Sequence, residues 1–102
     1  MVLKLVKGSR IVQQVNEMCL NEYGEEKLIN KTIEEFIELL DALIKNTKGM
    51  GDYDNLVEEM GDSMIMMYQM MYILELKDPD FTDKMNKSMY GKLVNKEFEL
   101  TQ

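Results

Sequence analysis

Residues 31–67, KTIEEFIELLDALIKNTKGMGDYDNLVEEMGDSMIMM, decide how this chain folds. The stretch reads as helix, turn, helix. In its first half Ile33, Phe36, Ile37, Leu40 and Ile44, with Ile29 just before, recur at spacings of three and four and form one broad apolar stripe. In its second half Leu56, Met60, Met64 and Met67 do the same, and Met71 and Leu74 extend the stripe. Between them KGMGDYDN supplies two glycines and two possible N-caps, Asp52 and Asp54. So short a connection predicts that the following helix returns antiparallel. The boundaries expected are about Glu25 to Thr47 and about Asn55 to Leu76.

Each half carries an acidic cluster, Glu34-Glu35-Phe36-Ile37-Glu38 and Glu58-Glu59-Met60-Gly61-Asp62. Within each, two acids stand three residues apart, Glu35 with Glu38 and Glu59 with Asp62, and so share a helix face. Antiparallel neighbours would bring the four carboxylates together. Unpaired negative charges in one place repel and resist desolvation. A hard divalent cation resolves that conflict, and oxygen-only ligands point to Mg²⁺ or Mn²⁺. The plain alternative is a solvated acidic face, which is the reading adopted for Glu34 and Glu58.

Working outward, Ser9 caps a first helix that runs to about Tyr23 and stops at Gly24. Its apolar positions are Ile11, Val12, Val15, Met18 and Cys19. Beyond Pro79, with Asp78 or Asp80 as cap, a fourth helix is expected over about 81–94, and the last residues, NKEFELTQ, are expected to fray. The third helix carries a second stripe on its far side: Glu59, Asp62, Met66, Gln69 and Ile73. It is therefore apolar nearly all round from Met64 to Leu74, more than one small subunit can cover. The fold expected is all-α, a single domain over residues 1–102. It is an antiparallel bundle of about four helices, completed by oligomerisation as a dimer or tetramer, with the second stripe at the interface.

The chain has 102 residues, eleven methionines and a net charge of −7 with Arg10 as its single arginine, a balance that disfavours a nucleic-acid backbone as partner. Histidine is absent, which removes imidazole-dependent catalysis and imidazole metal sites. The lone Cys19 lies in an apolar periodic stretch, reads as a structural thiol and fits a reducing cytoplasm. The opening MVLKLVKGSR alternates Val and Leu with Lys over too short a span for a signal peptide, and no apolar run predicts a membrane span. Tyr68, Tyr72 and Tyr90 read as packing residues, and no phosphate-binding loop of the GxxxxGK[ST] type is present.

KTIEEFIELLDAL followed by NLVEEMGDSMIMM resembles the MazG-like family of nucleoside triphosphate pyrophosphohydrolases. The family pattern is ExxE, a gap, then ExxD on two antiparallel helices. Here ExxE is Glu35 to Glu38 and ExxD is Glu59 to Asp62. The acid before each pair, Leu39-Leu40 and Gly61 also match, and the similarity runs from about Ile11 to Lys92. The resemblance implies an all-α oligomer that needs Mg²⁺. Many relatives carry KMxxNxxKY on the fourth helix, whose basic and amide groups reach the nucleotide. Lys84-Met85 fits its opening, but Ser88 stands where Asn is expected and Lys92 is displaced by one residue. Lys84, Lys87 and Lys92 are the candidate phosphate contacts, against a reading as solvated surface charge.

The reaction implied is NTP + H₂O → NMP + PPi. Glu35, Glu38, Glu59 and Asp62 hold metal that neutralises the triphosphate and activates a water for attack on the α-phosphorus. Glu38 is the first choice for a general base. Two alternatives stay open. One is a related pyrophosphohydrolase acting on dUTP, dCTP or phosphoribosyl-ATP. The other is a non-catalytic helical dimerisation module with an acidic face.

Overall fold

The computed structural model of the protein describes residues 9–102, and among these every regular element is an α-helix. The order is α1 (Arg10–Tyr23), α2 (Glu25–Thr47), α3 (Tyr53–Lys77) and α4 (Phe81–Leu100). The signal-peptide reading of the N-terminal segment rests on residues 1–8, which lie outside the described residues. Among the described residues no helix is long and apolar enough to cross a membrane.

The caps explain the boundaries. Ser9 Oγ accepts from the Val12 N–H at 3.4 Å and starts α1. Gly24, at φ 83°, ends it in a conformation that favours glycine. The Gly24 carbonyl then accepts the first bond of α2, from the Leu28 N–H at 3.2 Å. Asp52 Oδ1 accepts from the Asp54 N–H at 2.9 Å, so α3 begins at Tyr53, two residues earlier than expected. Asp78 Oδ1 accepts from the Asp80 N–H at 3.0 Å and organises the turn through Pro79. The expected fraying after Val94 is corrected: α4 continues to Leu100. Nothing in that segment breaks a helix, Lys96 pairs with Glu99 at 3.0 Å, and Thr101 Oγ1 donates to the Glu97 carbonyl at 2.9 Å.

The turn between α2 and α3 is tight. A Cβ at Gly51 would lie 2.8 Å from the main-chain nitrogen of Asn46, closer than real Cβ contacts come, so the chain folds directly over the last turn of α2.

α2 and α3 form the main contact. Ser63 Oγ donates to the Glu35 carbonyl at 3.2 Å, and Lys77 pairs with Glu25. The first turn of α2 thus lies beside the last turn of α3, and the middle of α2 beside the first half of α3. Leu28, Met66 and Ile73 form the buried core, with Cys19, Leu20 and Met70 packed on it. Cys19 is a free thiol. The buried Asn16 of α1 donates from Nδ2 to the Tyr68 carbonyl at 3.4 Å.

Which stripes face inward is a correction. The residues of α2 buried within the subunit are Leu28, Thr32, Glu35 and Ala42, and those of α3 are Ser63, Met66, Gln69 and Ile73. The second stripe of α3, expected at an interface, is therefore the intramolecular one. The stripes expected inside, Ile29, Ile33, Phe36, Ile37, Leu40 and Ile44 on α2 and Met60, Met64, Met67 and Leu74 on α3, are exposed. The small residues of the inner seam account for this. Thr32, Ala42 and Ser63 let the helices approach closely, and both hydroxyls are satisfied on main-chain carbonyls, Thr32 on Leu28 at 2.8 Å and Ser63 on Glu35.

The result is a thin core and a large surface. Accessible surface is 8210 Å², against about 6000 Å² for a compact monomer of 12.0 kDa. The radius of gyration is 16.3 Å, against about 13 Å for a compact domain of this length.

Candidate functional site

The α2–α3 seam brings Glu35, Glu38 and Glu59 together. One carboxylate oxygen from each lies within 4.8 Å of the other two. Glu35 is held in the seam by its own main chain, whose carbonyl takes the Ser63 hydroxyl, and its residue is 7% exposed. Glu38 follows one turn later on the same face and is exposed, while Glu59 projects from α3 and is half-buried. Asp62, also half-buried, stands outside this group of three, although its charge reaches Glu59.

The group is short of positive charge. Lys31 Nζ lies 2.9 Å from Glu35 Oε1. Glu35 Oε2 and Glu59 Oε2 are both buried without a hydrogen-bond partner. Burial raises the Glu59 carboxyl above the usual carboxylate range. The charges of Glu38, Glu35 and Asp62 add to that shift, as does a hydrogen bond to Glu38. In turn the Glu35 hydrogen bond and charge hold the Lys31 ammonium above its usual value. Crowding of this kind favours a proton or a positive charge beside the carboxylates.

The lysines of α4 are placed elsewhere. Lys84 pairs with Asp78 Oδ2 at 2.8 Å, just past the end of α3. That is about 28 Å along α3 from Glu59, at 1.5 Å per residue. Lys87 pairs with Asp83 at 3.1 Å within α4, and Lys92 is exposed. No residue of α4 is buried. Within one subunit the structure thus joins three of the expected carboxylates and leaves Lys84 apart from them. Of the tyrosines, Tyr68 lines a small apolar cavity with Ile11, Val15 and Ile65, Tyr72 is half-buried and Tyr90 is exposed.

The residues that sequence reasoning passed over are on α2 and α3. Lys31 stands four before Glu35, an ordinary i,i+4 ion pair legible in the sequence. Lys27 and Gln69 line a cavity beside Lys31, together with Tyr23, Leu28 and Met66. Their juxtaposition depends on how α1 crosses the pair, which no spacing reveals.

Comparison with protein-family models, with curated proteins and with solved structures finds no match to this chain.

Proposed function

We propose that the protein is a divalent-cation-dependent nucleoside triphosphate pyrophosphohydrolase of the MazG-like kind, converting an NTP or dNTP and water to the monophosphate and pyrophosphate. The observation that carries this reading is the meeting of Glu35, Glu38 and Glu59 within 4.8 Å, with buried oxygens of Glu35 and Glu59 left without partners. Such oxygens fit the ligand set of a hard cation. They are hard to account for in a helical module that merely dimerises, because leaving them unpaired costs stability.

Glu35, Glu38 and Glu59 would hold Mg²⁺ or Mn²⁺, with Asp62 joining from the next turn of α3. A bound ion supplies charge neutralisation of the triphosphate and polarisation of a water. Glu38 is the more exposed carboxylate of α2 in the group and so the better placed to take a proton from water. Glu35, pinned by the Ser63 contact, holds the geometry. Lys84, Lys87 and Lys92, as phosphate contacts, would have to reach the cluster from a second copy.

Assembly is part of the proposal, as an antiparallel bundle completed by a second copy or by a tetramer. Its support is the accessible surface of 8210 Å², some 2200 Å² above that of a compact monomer. That excess is on the scale of a stable interface. Mg²⁺-dependent pyrophosphate release across a nucleotide panel, including dUTP, dCTP and phosphoribosyl-ATP, tests the activity. Release from at least one member is expected. No release from any member, or release of orthophosphate instead, overturns the reading.

A further inference from the structure

The first turn of α4 is fixed on the end of α3. The Phe81 N–H donates to the Asp78 carbonyl at 2.9 Å, Lys84 pairs with Asp78, and the Thr82 hydroxyl donates to Glu75. Met85 is half-buried there, but residues 86–102 are all exposed. Among the described residues α4 touches α3 and neither α1 nor α2. At 1.5 Å per residue, residues 86–100 thus run about 22 Å as helix with no residue buried. Met89 and Leu93 form one i,i+4 row along it, and Tyr90, Val94 and Phe98 form the next. Leu93 is 66% and Phe98 65% exposed. A continuous apolar band of this kind marks an interaction surface.

The rest of the subunit has a face to match. α1 packs on one side of the α2–α3 pair, with Cys19 and Leu20 over Leu28 and Met66. At about 100° per residue, Phe36 and Leu40 of α2 and Met60 and Met67 of α3 fall on the other side, and all four are exposed. We propose that α4 is an exchanged arm, with residues 86–100 of each copy lying on that open side of the α2–α3 pair of a second copy. Each bundle then holds three helices from one chain and one from the other, and the exchange closes as a twofold dimer. This rests on the assembly proposed above and names the segment that makes it. The area suffices: each subunit exposes about 2200 Å² more than a compact monomer, and a stable interface needs about 800 Å² from each partner. The charges agree as well. Residues 84–96 carry four lysines and no acid, whereas residues 52–62, where α3 begins, carry five acids and no base. Within one subunit the arm starts at the opposite end of α3 from those acids, so only a second copy brings the two together.

The test mixes two forms of the full chain. One carries a nitroxide spin label attached through Asn95→Cys, with Cys19→Ser so that nothing else takes the label. The other carries no spin label and has isotope-labelled methionine methyls. Nuclear magnetic resonance of the mixture should show the Met60 and Met67 methyls broadened, an effect that only an arm from another copy produces. Separately, Leu93→Asp combined with Phe98→Asp should raise the dimer dissociation constant at least tenfold by sedimentation. The Met66 methyl of that variant should stay at its wild-type position, since both changed residues are exposed within the subunit. The exchanged arm is overturned if the mixture shows no broadening at Met60 and Met67, or if the double variant dimerises as wild type does. Those results, with a wild type that still sediments as a dimer, would leave the assembly standing and remove the arm alone. A monomeric wild type would remove both.

Discussion

Lys31 Nζ sits 2.9 Å from Glu35 Oε1, so one edge of the acidic group already carries a positive charge. The same oxygen cannot serve both the ammonium and a metal without rearrangement. Lys31 is thus a resident competitor for the position that the proposed ion would take.

Lys31→Met should therefore tighten Mn²⁺ binding by about two- to fivefold, the factor that an exposed ion pair is worth. It should also lower the melting temperature of the metal-free protein. Calorimetric titration with Mn²⁺ and a paired melting curve check both effects. Weaker Mn²⁺ binding in the variant would show that Lys31 supports the site instead of competing for it.

Carboxylates in the group should matter for turnover far more than those beside it. Glu38→Gln and Glu59→Gln should each lower the rate of pyrophosphate release by about 10²-fold or more, the scale of losing positioned acid–base or electrostatic help. Glu34, exposed and 3.8 Å from Lys31, is not among the three carboxylates that meet, and Glu34→Gln should change the rate little. Equal damage from Glu34→Gln would mean that the catalytic face has been misassigned.

The raised Glu59 carboxyl sets a pH dependence. Its folded pKa lies above the unfolded value, so its contribution to stability is present below the ordinary carboxylate range. That contribution is lost as pH rises through the raised value. A metal ion at the proposed site would replace the proton there, so stabilisation by Mn²⁺ should grow over the same pH interval. Melting curves with and without Mn²⁺ should diverge as pH rises, and Glu59→Gln should flatten the divergence. Parallel curves in the wild type would count against a metal at this group.

Self-association should run through the outward faces of α2 and α3. Ile37, 62% exposed, and Met64, 48% exposed, are the residues to change. Ile37→Asp and Met64→Asp should dissociate the assembly and leave helical content intact, as read by sedimentation and circular dichroism. Met66→Asp should instead unfold the subunit, because Met66 is 6% exposed in the core and a buried unpaired charge costs several kcal/mol. A wild-type chain that sediments as a compact monomer would remove the oligomer from the proposal.

The four helices were legible because their ends carry local signals: Ser9, Gly24 and Asp52 cap where the chain says they should. The pairing of Glu35 and Glu38 with Glu59 was legible too, since it follows from one tight turn between two periodic helices. The inward faces were not. Apolar periodicity weighs Ile33, Phe36 and Ile37 above Thr32, Glu35 and Ala42, yet close helix approach favours the smaller set. Nor was the cavity around Gln69, which needs α1 laid across the other two helices.

The turn at Gly51 bears on ionic radius. An octahedral Mg²⁺ with oxygens at about 2.1 Å spans about 4.2 Å between opposite ligands, and Ca²⁺ at about 2.4 Å spans about 4.8 Å. The three carboxylate oxygens lie within 4.8 Å of one another, so the size of ion they would suit is set by how closely α2 and α3 hold them. Any change in that spacing has to be accommodated near a joint where a Cβ at Gly51 would already meet the main chain of Asn46. The stiffness of a turn some ten residues from Glu38 would then help to sort cations by size, a selectivity that none of the carboxylates encodes alone.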